Sequence, residues 1–204
     1  MIAIVDYGVG NLFSLQSSFK KIGADAVVTA DENVLNSAEK IILPGVGAFE
    51  DAAKKLMKSG LGDALKTQVQ KGKYVMGICL GMQLLFEKSF EYGEHNGLGL
   101  LKGDIVPMKG YIRDDLKVPH IGWNALRFTR EHFLFKYLNE GDCAYFVHSY
   151  FAKNCADSLI AEVEYDKLLT AAVAKENVLG CQFHPEKSGD VGLNILRAFC
   201  EKKD

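Results

Sequence analysis

The sequence predicts an α/β fold in which helices flank a central, mostly parallel β-sheet that continues into a mixed or antiparallel extension. In the first half, short apolar runs alternate with stretches of helical spacing, as in right-handed βαβ units. After Gly99 the runs are strand-like with few helices between them, which favours antiparallel pairing. The chain has 204 residues and no linker or repeat, so we expect one domain, residues 1–204.

The elements of the first half follow from runs rich in Ile and Val and from apolar residues spaced three or four apart. These patterns predict strands at 2–6, 26–29, 40–43 and 75–78, and helices at 12–22, 49–58 and 61–70. In the second half the same criteria predict strands at 104–108, 123–128, 143–148, 159–164, 169–174 and 178–183, then an amphipathic helix at 191–200.

Cys79 is the most informative residue, because it follows an apolar strand in the run Gly77-Ile78-Cys79-Leu80-Gly81 and precedes residues with helical spacing up to Phe86. A nucleophile held at a tight strand-to-helix turn requires glycine on both sides. The start of a helix also favours the thiolate form of a cysteine. The alternative is an inert free cysteine on a core strand.

A second motif, His184-Pro185-Glu186, ends another apolar strand. Pro185 disfavours helical geometry at His184, and in an extended chain residues two apart project to the same side. Glu186 can therefore orient His184 as a proton carrier for a thiol. The alternative is a surface histidine beside a solvated glutamate.

A third motif, Pro44-Gly45-Val46-Gly47, links a predicted strand to a predicted helix. Such a glycine-rich turn can aim backbone N–H groups at the oxyanion of an acyl-transfer reaction. It can equally be a plain connecting loop.

Together these three motifs resemble those of class I (triad-type) glutamine amidotransferases, which implies the fold of that family. Three further segments, at 6–11, 119–124 and 146–150, resemble the glutaminase subunits of imidazole glycerol phosphate synthases, in histidine biosynthesis. The likeness extends from Met1 to about Cys200. It implies that the chain hydrolyses glutamine to glutamate and ammonia.

The resemblance also assigns roles to residues. The catalytic triad would be Cys79, His184 and Glu186, with oxyanion donors from Leu80, Val46 and Gly47. Substrate contacts would come from Gly47, Gln83, Glu91, Ser149 and Tyr150, of which Glu91 has the least certain register. Trp123 and Lys187 would contact the partner, although Trp123 could instead be core.

The implied partner is a separate (β/α)₈ cyclase subunit, which forms a heterodimer with this chain and uses the ammonia to make imidazole glycerol phosphate and an aminoimidazole carboxamide ribotide. Three alternatives stay open: an amidotransferase subunit of a sister pathway, a stand-alone γ-glutamyl hydrolase, and a non-enzymatic binding subunit with a relic site.

Composition narrows the class of protein further. A net charge of −2 and a pI near 6.2 argue against a nucleic-acid-binding protein. The first residues lack a signal-peptide pattern and no apolar run is long enough to span a membrane, so we expect a cytoplasmic protein with no membrane contact. The five cysteines lack C-x-x-C spacing and the histidines lack metal-ligand spacing, so we expect neither metal nor cofactor.

Overall fold

The computed structural model describes residues 1–203; Asp204, the last residue of the predicted domain, lies outside the described residues. The strands are, in chain order, β1 Ile2–Val5, β2 Ala26–Thr29, β3 Lys40–Leu43, β4 Tyr74–Ile78, β5 Phe86–Ser89, β6 His95–Asn96, β7 Leu101–Pro107, β8 His120–Phe128, β9 Cys143–His148, β10 Tyr150–Lys153, β11 Leu159–Tyr165, β12 Lys167–Lys175 and β13 Val178–Cys181. The helices are α1 Leu12–Lys21, α2 Glu32–Ser37, α3 Phe49–Lys58, α4 Leu61–Gln70, α5 Leu80–Leu84 and α6 Gly189–Glu201, with 3₁₀ turns at Phe133–Phe135 and Pro185–Lys187.

The central sheet has nine strands in the order β2-β1-β3-β4-β13-β12-β11-β8-β9. The first five strands of this order pair in parallel and the remaining pairs are antiparallel. The predicted parallel sheet with an antiparallel extension is therefore confirmed. A smaller sheet in the order β10-β7-β5-β6 packs beside the central one.

Both faces of the parallel half are buried, as its continuous apolar strands require. On one face Ile2 and Ile4 of β1 pack with buried residues of α1 and α6. On the opposite face Ala3 and Val5 pack with buried residues of α2, α3 and α4. This arrangement leaves the carboxyl ends of β3, β4 and β13 side by side, where ligand sites of such sheets lie.

Several predicted bounds are exact and others are wrong. The strand predicted at 178–183 ends at Cys181, and the helix after Cys79 ends at Leu84, so Phe86 begins β5 instead of continuing the helix. The elements missed entirely are α2, β5, β6 and β10, each six residues or shorter. Such short segments give too few repeats for a periodicity to stand out.

None of the helices within residues 1–203 combines the length and the apolar character that crossing a bilayer demands. All five cysteines are free thiols.

Candidate active site

Cys79 occupies a strained backbone position between β4 and α5. Its φ is 54° and its ψ is −114°, at the N-cap of α5. Because a non-glycine residue with positive φ is uncommon, this geometry indicates a position that the surrounding structure enforces. Cys79 lies after the end of β4 rather than within it, which contradicts the alternative of an inert cysteine on a core strand.

The glycines on both sides of Cys79 have no room for a side chain. A Cβ at Gly81 would lie 1.8 Å from the carbonyl oxygen of Leu43, at the end of β3. A Cβ at Gly77 would lie 2.6 Å from the carbonyl oxygen of Gly81. The elbow is therefore packed against its own backbone and the neighbouring strand, as the sequence motif predicts.

His184 and Glu186 form a buried pair beside the elbow. His184 Nδ1 lies 2.8 Å from Glu186 Oε1, and their side chains are 3% and 1% exposed. His184 is extended, but Glu186 lies in the 3₁₀ turn Pro185–Lys187, so the turn and not an extended i, i+2 relation brings them together. The burial of both contradicts the alternative of a surface histidine beside a solvated glutamate.

The backbone of His184 is also fixed to β9. Its N–H donates to the carbonyl of Tyr145 at 2.9 Å. The buried Ser188 hydroxyl donates to the His184 carbonyl at 2.6 Å and accepts from the Tyr145 N–H at 2.9 Å. Nothing in the sequence distinguishes Ser188, because a small hydroxyl residue after a turn carries no distinctive signal.

The electrostatics of the pair favour a protonated His184. Burial alone favours the neutral ring, but interactions with the Cys79 thiol and the Glu186 carboxylate raise the pKa of His184 from 6.5 to about 9. A protonated imidazole beside the sulfur of Cys79 is an acid placed where the leaving group of a thiol attack would depart. The arrangement can therefore both attack a carbonyl and hold a proton for its leaving group.

The turn after β3 rests on the elbow. A Cβ at Gly45 would lie 2.6 Å from the backbone nitrogen of Gly81. Gly47 has a φ of 97° with open space around it, and Val46 is half exposed. The turn therefore packs at Gly45 against the backbone of the elbow, whereas Val46 and Gly47 lie beside open space.

A cavity of about 740 Å³ lies over the elbow. Its lining includes all but one of the residues predicted for catalysis and substrate binding, namely Val46, Gly47, Cys79, Leu80, Gln83, Glu91, Ser149, Tyr150 and His184, and also Lys187, which was predicted to contact the partner. Glu186 lies behind His184 and Trp123 lies outside this lining. The volume is in the range of ligand sites for small molecules.

Glu91 enters this cavity from the loop after β5. Its carboxylate Oε2 accepts a hydrogen bond of 2.8 Å from the backbone N–H of Phe49, the first residue of α3. Glu91 is buried, with 9% of its surface exposed. A carboxylate is favoured at a helix N-terminus. The same charge suits an ammonium group of a ligand.

The buried amide side chains of Gln83 and Gln182 form a chain of polar contacts that ends at the sulfur of Cys79. Gln83 Nε2 donates to the Tyr150 carbonyl at 3.2 Å and to Gln182 Oε1 at 3.0 Å. Gln182 Nε2 in turn lies 3.7 Å from Cys79 Sγ. No role for Gln182 was predicted; the signal that could have found it is a single amide side chain inside the apolar run 178–183.

Trp123 is on the surface, so the core alternative for it is wrong. It is 56% exposed on β8 and contacts Tyr145 of β9 edge to face, with ring centroids 5.9 Å apart. Lys187 Nζ lies 6.0 Å from the centroid of the same Tyr145 ring. One strip of side chains therefore runs from the surface to the cavity rim through Trp123, Tyr145 and Lys187. The part that Tyr145 has in this strip was not predicted.

Two of the histidines, His120 and His148, are paired. His120 Nδ1 lies 3.0 Å from His148 Nε2, and burial lowers the pKa of His148 to about 3. Within residues 1–203 no group of three or more His, Cys, Asp or Glu side chains could hold a metal ion.

Comparisons with known proteins show the family of this chain. The family model described as "Glutamine amidotransferase class-I" matches residues 3–202. Two relatives named "Imidazole glycerol phosphate synthase subunit HisH", from Caldanaerobacter subterraneus and Sulfurimonas denitrificans, are 48% and 49% identical to this chain. The matches cover 98% of this chain and 98% of the first relative, and 100% of this chain and 99% of the second.

Solved structures agree on the fold. A glutamine amidotransferase crystal structure has a TM-score of 0.75 at 19% identity, over 97% of this chain and 98% of that one. PurLQS from Thermotoga maritima has a TM-score of 0.72 at 20% identity, over 98% and 96%. The chain is thus an enzyme that belongs to the class-I glutamine amidotransferase family.

Proposed function

We propose that this chain is the glutaminase subunit of an imidazole glycerol phosphate synthase, folded as one amidotransferase domain in the cytoplasm. The relatives at 48% and 49% identity carry that enzyme's name over nearly their whole length. The observation that carries the chemistry is Cys79, held at a strained elbow beside the buried His184–Glu186 pair.

In the first half of the reaction the Cys79 thiolate attacks the side-chain amide carbon of glutamine. The carbonyl oxygen becomes an oxyanion, which the Leu80 N–H and the N–H groups of Val46 and Gly47 stabilise. The imidazolium of His184 then gives its proton to the departing nitrogen, so ammonia leaves and a γ-glutamyl thioester stays on the sulfur.

In the second half water cleaves the thioester. His184, now neutral, takes a proton from the attacking water while the same N–H groups hold the second oxyanion. Collapse of this intermediate releases glutamate and restores the thiolate and the imidazolium. Glu186 holds the ring orientation and stabilises its positive charge in both halves.

Substrate recognition rests on the remaining cavity residues. Glu91 offers a carboxylate to the α-ammonium group of glutamine, while Gly47, Gln83, Ser149 and Tyr150 surround the substrate from the other walls. The fixed orientation of the Gln83 amide, which donates to two buried acceptors, supports a positioning role for that residue.

We further propose that the ammonia passes to a (β/α)₈ cyclase subunit in a heterodimer. The exposed Trp123, next to Tyr145 and Lys187 at the cavity rim, supports this face as the contact, since tryptophan is favoured as an interface anchor.

Replacing the nucleophile tests the assignment. Cys79→Ala should abolish glutamine-dependent synthesis by the complex while synthesis from added ammonia survives, because only the nitrogen source is made here. Product formation is followed with each nitrogen donor in turn. Unchanged use of glutamine by this variant would refute the assignment of Cys79, and no synthesis by the wild type would favour a sister pathway.

The partner is tested by the rate of the isolated chain. We expect weak glutaminase activity for the chain alone and higher activity when a cyclase loaded with its substrate is docked, because the glycines at 45 and 47 allow the turn to change its N–H directions. One missing oxyanion donor would lower the rate ~10²-fold or more. Equal rates for the chain alone, with empty cyclase and with loaded cyclase would support a stand-alone hydrolase.

A further inference from the structure

Tyr7, which follows β1, makes a buried contact that the mechanism above does not use. The residue is 6% exposed, and its hydroxyl donates a hydrogen bond to the carbonyl of Pro44 at 2.7 Å. Pro44 begins the turn whose N–H groups are proposed to hold the oxyanion. The phenol therefore fixes the first carbonyl of that turn from a separate strand.

The contact lies where the turn meets the nucleophile elbow. A Cβ at Gly45 would lie 2.9 Å from the Tyr7 hydroxyl and 3.0 Å from the carbonyl carbon of Leu80. The phenol, the turn and the elbow thus meet at one glycine. A rotation of the Pro44–Gly45 peptide would change the spacing between the two sets of oxyanion donors.

The rest of the turn has little else to hold it. Val46 is half exposed and the space around Gly47 is open. Within residues 1–203 no other side chain makes a hydrogen bond to residues 44–47. The Tyr7 hydrogen bond therefore acts on the first peptide of the turn together with the packing of Gly45 on the elbow, and it is the contact of that peptide that a single hydroxyl deletion removes.

The Tyr7 hydroxyl stays protonated, and therefore able to donate, near neutral pH. Burial raises the pKa of Tyr7, and the neighbouring Cys79 raises it further, so the hydroxyl keeps its proton. Its orientation toward the Pro44 carbonyl does not depend on titration in the range where the enzyme acts.

We propose that Tyr7 is a positioning residue for glutamine hydrolysis, which holds the Pro44–Gly45 peptide so that the turn presents its N–H groups to the oxyanion. This inference rests on the proposed function. It predicts that loss of the hydroxyl weakens an interaction made only in the transition state, which lowers kcat and leaves KM unchanged.

The test is Tyr7→Phe, which retains the ring and its packing, in complex with the loaded cyclase. We expect kcat for glutamine hydrolysis to fall ~10-fold, less than the ~10²-fold or more of losing an oxyanion donor outright, with KM within about twofold. The rate of Cys79 alkylation by iodoacetamide should not change, because that displacement forms no oxyanion.

The control is Tyr137→Phe, which removes a hydroxyl donating to Glu201 Oε2 at 2.6 Å, away from the cavity. It should leave kcat unchanged. A normal kcat in Tyr7→Phe would overturn the proposal, and so would an equal loss of alkylation, which would mean that Tyr7 acts on the thiol itself. Failure of the proposed function is a different result, namely glutamine use that survives Cys79→Ala.

Discussion

Replacing Glu186 by glutamine should lower the pH at which glutamine hydrolysis fails on its alkaline side. Glu186 Oε1 accepts a hydrogen bond from His184 Nδ1 at 2.8 Å inside the protein. Glutamine keeps the shape and an acceptor oxygen but loses the negative charge. The imidazolium of His184 then loses one of the two groups that oppose the effect of burial.

The size of the effect follows from the raised pKa. The rise in the pKa of His184 from 6.5 to about 9 corresponds to about 3 kcal/mol in favour of the imidazolium. Cys79 and Glu186 share this preference, so losing the Glu186 part should move the alkaline limb of the pH profile down by about one pH unit. Turnover should fall by ~10-fold or more, because the general acid is less available and less firmly oriented.

The same pair contributes to folding stability. The pH dependence of this contribution is opposite in sign to that of a carboxylate whose pKa is lowered on folding. The pKa of His184 is raised on folding, so the contribution is fully present below pH 6.5 and is lost as the pH rises through about 9. Across that window the free energy of unfolding of the wild type should fall more than that of Glu186→Gln.

The assay is kcat/KM for glutamine, measured from about pH 6 to about pH 10 with the loaded cyclase present. Glu131→Gln, at an exposed position away from the cavity, is the control and should reproduce the wild-type profile. An alkaline limb that stays in place in Glu186→Gln would refute the coupling between this carboxylate and His184.

Two further substitutions test other parts of the site. His184→Ala should lower turnover by at least the ~10²-fold expected for a general acid–base, measured as steady-state hydrolysis, and near-normal turnover would refute its role as the proton carrier. Gly47→Ala adds a Cβ that meets nothing within 4 Å but strains a φ of 97°, so it should reduce partner-dependent activation more than it reduces docking. The matched control is Gly72→Ala, because Gly72 has a φ of 87° and equally open space but lies far from the cavity. Equal loss of activation in both variants would contradict a role for the 44–47 turn in partner-dependent activation.

Elements with strong local signals were predictable to the residue. The predicted strands at 26–29, 40–43 and 143–148 and the helices at 49–58 and 61–70 have the observed bounds. Each combines a clear apolar pattern with a glycine, proline or polar boundary. The smaller sheet was not predicted as a unit, because its order β10-β7-β5-β6 joins short segments that are distant in the chain.

The first half of the elbow was predictable because the constraint at Gly77 is local, whereas Gly81 is crowded by Leu43 and Pro44, which lie outside the motif. The atoms that forbid a side chain at Gly77 belong to residues 81 and 82, so the residues that cause the crowding lie only a few positions away in the sequence. The contact between His184 and Glu186 was predictable for a similar reason, although a 3₁₀ turn makes the contact and not the extended chain that was predicted. A short stretch of sequence carries both signals because both partners lie within it.

The supporting polar contacts are different, because they join residues far apart in the chain. Gln182 approaches a sulfur 103 positions away, and Tyr7 bonds a carbonyl 37 positions away. Neither type of residue is unusual at its own position, so only the sheet order, which places β1 beside β3 and β13 beside β4, gives them their partners. The sequence therefore predicts which atoms react, whereas the fold decides which buried groups hold those atoms in place.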